Sequence, residues 1–180
     1  MKKLNLILFL LMSSFVLLGQ GSSADHGFVF PLGCRAVLQM DSTHKNGTYK
    51  YSVIYFEELP EVVDTYNNDA LFFKDIPDNA IQIIFCISTH GKTRNEVEKN
   101  YRSALFVKSN HDKNLKYKAD IQKMNSEEYQ NTCVVPIFKQ IKNVELWPYL
   151  IKSIALYDFE IIQQREVGKG ITIKEAPHDK

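Results

Sequence analysis

Residues 81–88 read Ile81-Gln82-Ile83-Ile84-Phe85-Cys86-Ile87-Ser88, the most apolar run beyond the N-terminal segment. Successive side chains of a strand point to opposite faces, so a run apolar at odd and even positions alike predicts a strand covered on both sides. Such a strand belongs at the centre of a sheet, and the run is short for a helix. Pro77-Asp78-Asn79 just before it is a turn signal.

Upstream, Tyr49, Tyr51, Val53 and Tyr55 alternate with Lys50 and Ser52, the pattern of a half-buried strand. Ala36, Leu38 and Met40 alternate with Val37 and Gln39, as a short strand or one helical turn. Asn46-Gly47 lies between the two segments and marks a tight turn, so they can form a hairpin. Phe28–Leu32 is apolar but interrupted by Pro31, which predicts an irregular edge strand. Leu59–Asn68 reads as a loop and Leu71–Ile76 as a short strand.

Downstream, Thr93-Arg94-Asn95-Glu96 fits a capping box and predicts a short helix from Arg94, with Val97, Tyr101 and Ala104 on one face. Leu105–Val107 starts another strand. Leu115, Tyr117, Ala119 and Ile121 alternate with Lys116, Lys118 and Asp120, a clean strand, and Cys133–Phe138 reads as one more, weakened by Pro136. The tail satisfies two patterns. Leu150, Ile154, Tyr157 and Ile161 have helical spacing, whereas Tyr157, Phe159 and Ile161 alternate as in a strand. A helix opening near Pro148 is the reading adopted. The sum is an α+β fold, an antiparallel sheet with one or two helices. It forms a single domain over residues 25–167, followed by a mobile tail over 168–180.

The first two dozen residues have another purpose. Lys2 and Lys3 precede an apolar stretch from Leu4 to Leu18, and Gly19, Gly21, Ser22, Ser23 and Ala24 follow. This is the layout of a secretory signal peptide over residues 1–24, with cleavage after Ala24 and Gly21 as the other candidate. The protein is therefore expected to be secreted, extracellular or periplasmic, with no membrane partner once the signal is removed.

The whole chain has 22 Lys+Arg against 21 Asp+Glu. Without Lys2 and Lys3 the balance is close to neutral, which does not favour RNA as a partner. The densest basic stretch, Lys108, His111, Lys113, Lys116 and Lys118, suits a solvated loop and strand.

Three cysteines remain after the signal, Cys34, Cys86 and Cys133, and an oxidising compartment favours one bridge with one thiol left over. Three pairings are open. Cys86 sits in the apolar run and suits a buried free thiol, which favours Cys34–Cys133. That bridge would close a loop of about 100 residues, worth roughly 4–5 kcal/mol in the chain-entropy model. An odd exposed thiol forming a dimer is the rival arrangement.

No phosphate loop, dinucleotide fingerprint, nucleophile elbow or zinc-protease pattern is present, and no cofactor is implied. His26, His44, His90, His111 and His178 show no familiar metal spacing. Cys86, Ser88 and His90 would share one strand face, with Cys86 as nucleophile and His90 as base. Neighbours on one strand form a row, however, and a base usually comes from another element. A metal-independent ribonuclease would need Glu, His and Arg, which Glu57, Glu58, His90, Arg94 and Arg102 supply by type. The ordinary role of such residues is surface charge. Asn46-Gly47-Thr48 is an acceptor sequon, so Asn46 is a candidate for N-glycosylation.

A secretory signal, a small α+β domain, a cysteine soon after cleavage at the end of Phe28–Cys34 (FVFPLGC) and a second about a hundred residues later resemble the small secreted ribonuclease-like effectors of powdery-mildew fungi. In that family an aromatic-x-Cys motif follows the signal, and its Cys bridges to one near the C-terminus, here Cys34 and Cys133. This chain has Leu32 where the motif has an aromatic residue, and it has Cys86 in addition. The resemblance implies a ribonuclease scaffold without catalytic residues that binds a host protein or RNA. The function expected is a secreted, non-enzymatic interaction protein of the pathogen-effector kind, with another protein as partner. A bacterial periplasmic inhibitor or immunity protein and a small secreted ribonuclease are the alternatives.

Overall fold

A computed structural model describes residues 27–43 and 47–162. The signal segment, Asn46 and the tail beyond residue 162 lie outside these residues, and so do the expectations placed on them.

The apolar run forms β5 (Ala80–Thr89), antiparallel to β2 (Cys34–Thr43) on one side and to β6 (Arg102–Ser109) on the other. It is a central strand, as its two-faced apolarity requires. β2 and β3 (Thr48–Glu58) pair antiparallel as the two arms of the expected hairpin. The remaining strands are β1 (Phe28–Pro31), β4 (Val63–Asp64), β7 (Leu115–Lys123), β8 (Tyr129–Thr132), β9 (Lys142–Trp147) and β10 (Ile151–Ile161). The ladder runs β8-β7-β10-β3-β2-β5-β6-β9, with β1 added to β10 and the short β4 running parallel to β5.

The sheet curls into a half-barrel. Its two outermost strands approach each other, and Trp147 Nε1 on β9 donates to Thr132 Oγ1 on β8 at 3.2 Å. Gly33 joins β1 to β2. Its φ of +82° favours glycine, and a Cβ there would stand 3.2 Å from the Leu59 carbonyl oxygen. Inside the curl Phe30, Leu38, Phe85, Leu105, Leu115, Trp147 and Phe159 form the main core. Tyr117 stacks on Phe159 with ring centres 5.4 Å apart.

A second, smaller core lies on the outer face. Ile84, Cys86, Ala104 and Phe106 pack there against Val63 and Phe72, which belong to the long excursion from residue 59 to 79. That excursion holds only β4 and a single 3-10 turn at Asp69–Leu71, so the strand expected at Leu71–Ile76 does not form.

The α+β expectation is overturned: the protein is mostly β. The capping box is real, with Thr93 Oγ1 accepting from the Glu96 amide and the Glu96 carboxylate from the Thr93 amide, but the helix it starts, α1 (Arg94–Lys99), ends after six residues. Arg102 already begins β6, so Tyr101 and Ala104 do not share a helix face with Val97. The helix expected near Pro148 is β10. Two bulges interrupt its pairing with β7, and Asp158 within the second has φ +51°. Its core-packing positions therefore run Ile151, Ile154, Leu156, Phe159 and Ile161. Alternating steps of three and two imitate a helical period, and pairing along both edges decides the conformation. Cys133–Phe138 forms no strand beyond an isolated bridge from Ile137 to Leu115, whereas β9 over Lys142–Trp147 escaped the sequence reading.

Candidate functional site

The polar residues singled out from the sequence are scattered. Cys86 is fully buried in the outer core, and burial pushes its thiol up to about 12, so it is protonated at neutral pH and is no nucleophile. Ser88 Oγ is buried without a hydrogen-bond partner among the described residues. His90 lies just past the end of β5. Its Nδ1 is 3.4 Å from an Arg102 guanidinium nitrogen, and its ring meets Tyr66 edge-on at 5.5 Å. The His90 carbonyl accepts from Asn100 Nδ2 at 2.9 Å, which ties the end of β5 to the end of α1.

Arg94 does not join that group. It is exposed and pairs with Glu98 one turn along α1 at 2.7 Å. Glu58 is exposed at the end of β3, opposite Cys34 in the register. The structure thus brings His90 and Arg102 together and leaves Cys86, Glu58 and Arg94 apart. No three His, Cys, Asp or Glu side chains converge as a metal site among the described residues. The three thiols are free: Cys34 is buried inside the curl, with its pKa raised to about 12 by burial, and Cys133 is exposed just past β8.

Three lysines of the basic stretch prove to be paired. Lys113 meets Asp112 at 3.0 Å, Lys116 meets Glu160 at 3.2 Å and Lys118 meets Asp158 at 2.8 Å. β10 lies beside β7 and supplies the last two carboxylates, so these lysines do not form a free cationic track.

A better-built group escaped the sequence reading. On the outer face Arg35 of β2 forms an ion pair with Glu57 of β3, and the Tyr55 hydroxyl donates to the same carboxylate. The Tyr55 hydrogen bond, reinforced by Arg35, holds the Glu57 carboxyl below its usual range. The Arg35 guanidinium also stands 4.1 Å over the Phe73 ring, which meets Tyr55 edge-on at 4.9 Å. The register puts Arg35 opposite Glu57, but two shifts in the β2–β3 pairing lie between that pair and the connection, so neither the pair nor the stack on Phe73 was legible in the sequence.

Phe73 is part of a strap, residues 73–77, with a hollow on each side. One hollow, of about 250 Å³, is apolar and is lined by Val37, Ile54, Tyr55, Phe73, Ile76 and Pro77, with Asp75 at its rim. The other, of about 310 Å³, is polar, with Lys74, Lys108, Gln82 and Asn110 in its walls. Gln82 fixes the strap, because its side-chain amide accepts from the Phe73 amide at 2.7 Å and donates to the Phe73 carbonyl at 3.0 Å.

Large apolar side chains are exposed on two of the strands. Ile54, Tyr55 and Phe56 are 48%, 37% and 42% exposed on β3, and Val144 and Leu146 are exposed on β9, with Tyr149 and Leu150 beyond its end. Among the described residues both strands have a free edge: β9 pairs only with β6, and β3 pairs with β10 only at Thr48 and Tyr49. No family model, no curated protein and no solved structure matches this chain.

Proposed function

We propose that the protein is exported and acts by binding another protein, without a catalytic step of its own. The observation that supports this reading is the gathering of exposed apolar side chains on the two strands with free edges, Ile54, Tyr55 and Phe56 on β3 and Val144 and Leu146 on β9. Three of the polar candidates for catalysis are occupied with structure. Cys86 is a protonated core thiol, Glu57 is neutralised by Arg35, and Arg94 serves its own helix.

The test is affinity capture with wild-type protein beside Ile54→Lys and Val144→Glu, both exposed positions where the fold should tolerate the change. A captured protein must then bind the purified chain saturably, and one of the two variants must weaken that binding while its circular dichroism stays unchanged. Cleavage of RNA by the purified protein, lost in His90→Ala, would replace this reading with the ribonuclease one.

A further inference from the structure

Resting on the binding role proposed above, we infer that β3 is the docking edge and that its occupant is an extended segment of the partner, added antiparallel to Lys50–Glu58. β10 leaves β3 after Tyr49 because β1 takes over that edge of β10 at Ser153–Leu156. The rest of β3 is paired through β2 alone, so its other row of backbone groups has no strand partner among the described residues. An added strand satisfies those groups through main-chain bonds, and pockets for alternate side chains supply selectivity. The apolar hollow begins at Ile54 and Tyr55 and is closed by Phe73, Ile76 and Pro77. It receives one large apolar side chain of the segment.

Charge sets the direction of that segment. Lys50 stands exposed at one end of the open edge, and Glu58 and Glu61 stand exposed at the other. None of the three takes part in an ion pair among the described residues. Glu57, by contrast, is already matched by Arg35. Both neighbours of β3 run antiparallel to it, the slightly more stable arrangement. The incoming segment is therefore basic at its N-terminal end, beside Glu58 and Glu61, apolar at its centre and acidic at its C-terminal end, beside Lys50.

The experiment is fluorescence polarisation with a dye-labelled peptide that carries arginines at its N-terminal end, alternating valine and threonine around a central phenylalanine, and glutamates at its C-terminal end. The same residues in reverse order, and the forward peptide N-methylated at alternate positions, are the controls. The forward peptide is expected to bind saturably and the reverse one about threefold more weakly, the size of a cross-strand charge preference. The N-methylated peptide is expected not to bind. Ile54→Lys should abolish binding, Val144→Glu should leave it unchanged, and the Lys50→Glu, Glu58→Lys double variant should favour the reverse peptide.

Equal binding of both orders, survival of binding after N-methylation, or no binding of any peptide would overturn strand addition. Binding lost in Val144→Glu and kept in Ile54→Lys would move the docking edge to β9 and leave the binding role standing. Self-association in sedimentation that Ile54→Lys abolishes would identify a second copy of the chain as the occupant and overturn the foreign segment.

Discussion

The two faces of β5 are buried by different means. On the inner face Ile81, Ile83 and Phe85 meet side chains from regular strands all round the curl. On the outer face Ile84 and Cys86 lie under an excursion with almost no regular structure. What holds that cover is a set of side-chain bonds to its backbone. Gln82 bonds both backbone groups of Phe73, Arg35 donates to the Leu71 carbonyl, Asn68 Nδ2 donates to the Asp64 and Thr65 carbonyls, and Asn110 Nδ2 donates to those of Ile76 and Pro77. A sheet face does not need a second layer of helices or strands, provided that side chains supply the hydrogen bonds a ladder would have made.

The contrast is most easily broken by truncating one large side chain on each face. Phe85→Ala should cost about 3–5 kcal/mol in urea unfolding, because the strands around it cannot close the cavity. Phe72→Ala should fall at or below the low end of that range, since the excursion can settle into the space. Equal losses would show that the cover is as rigid as the barrel wall.

Next comes the pin itself. Gln82→Leu removes both bonds to Phe73 and leaves a backbone amide and carbonyl unsatisfied, for an expected loss of about 1–3 kcal/mol. Early hydrogen exchange at the Phe73 amide would locate the damage in the strap, whereas uniform loss of protection would mean that the strap and barrel open together.

The native thiols probe the same difference without mutation. Cys133 should react with a disulfide reagent at once, being exposed. Cys86 lies under the cover and Cys34 inside the curl, so Cys86 should be labelled about tenfold faster than Cys34 through partial opening of the excursion. Identical rates for the two would mean global unfolding only.

The smallest effect concerns His111, which is buried beside Tyr49 and accepts the Lys113 amide at Nδ1. Burial lowers its pKa, against the smaller pull of Asp112. The unfolded chain then binds its proton at a higher pH than the folded one, near an ordinary histidine value of about 6.5. Stability from this group is present above that value and is lost as pH falls through it. A stability curve flattened there by His111→Asn would confirm the assignment, and an unchanged slope would place it elsewhere.

Some of this architecture was legible in the residues. β5 announced itself through apolarity on both faces, β7 through strict alternation, the β2–β3 hairpin through Asn46-Gly47, and α1 through its capping box. β10 did not, because its two bulges give the core-packing residues a helix-like spacing. β9 was missed because its alternation is brief, two apolar residues, Val144 and Leu146, against Asn143 and Glu145. Of the candidate site, the sequence supplied Glu57 but not the neighbours that give it a role, Arg35, Tyr55 and Phe73.

The sequence by itself therefore determined the strands β5 and β7, the β2–β3 pair, the start of α1 and which strand is covered on both sides. Those properties follow from side-chain alternation and turn chemistry within a few residues. Only the tertiary structure decided that the sheet curls, that an irregular excursion forms the outer cover, and that β3 and β9 keep free edges. These outcomes depend on which distant strand wins each edge, and that competition involves residues far apart in the chain whose pairing leaves no local pattern to read.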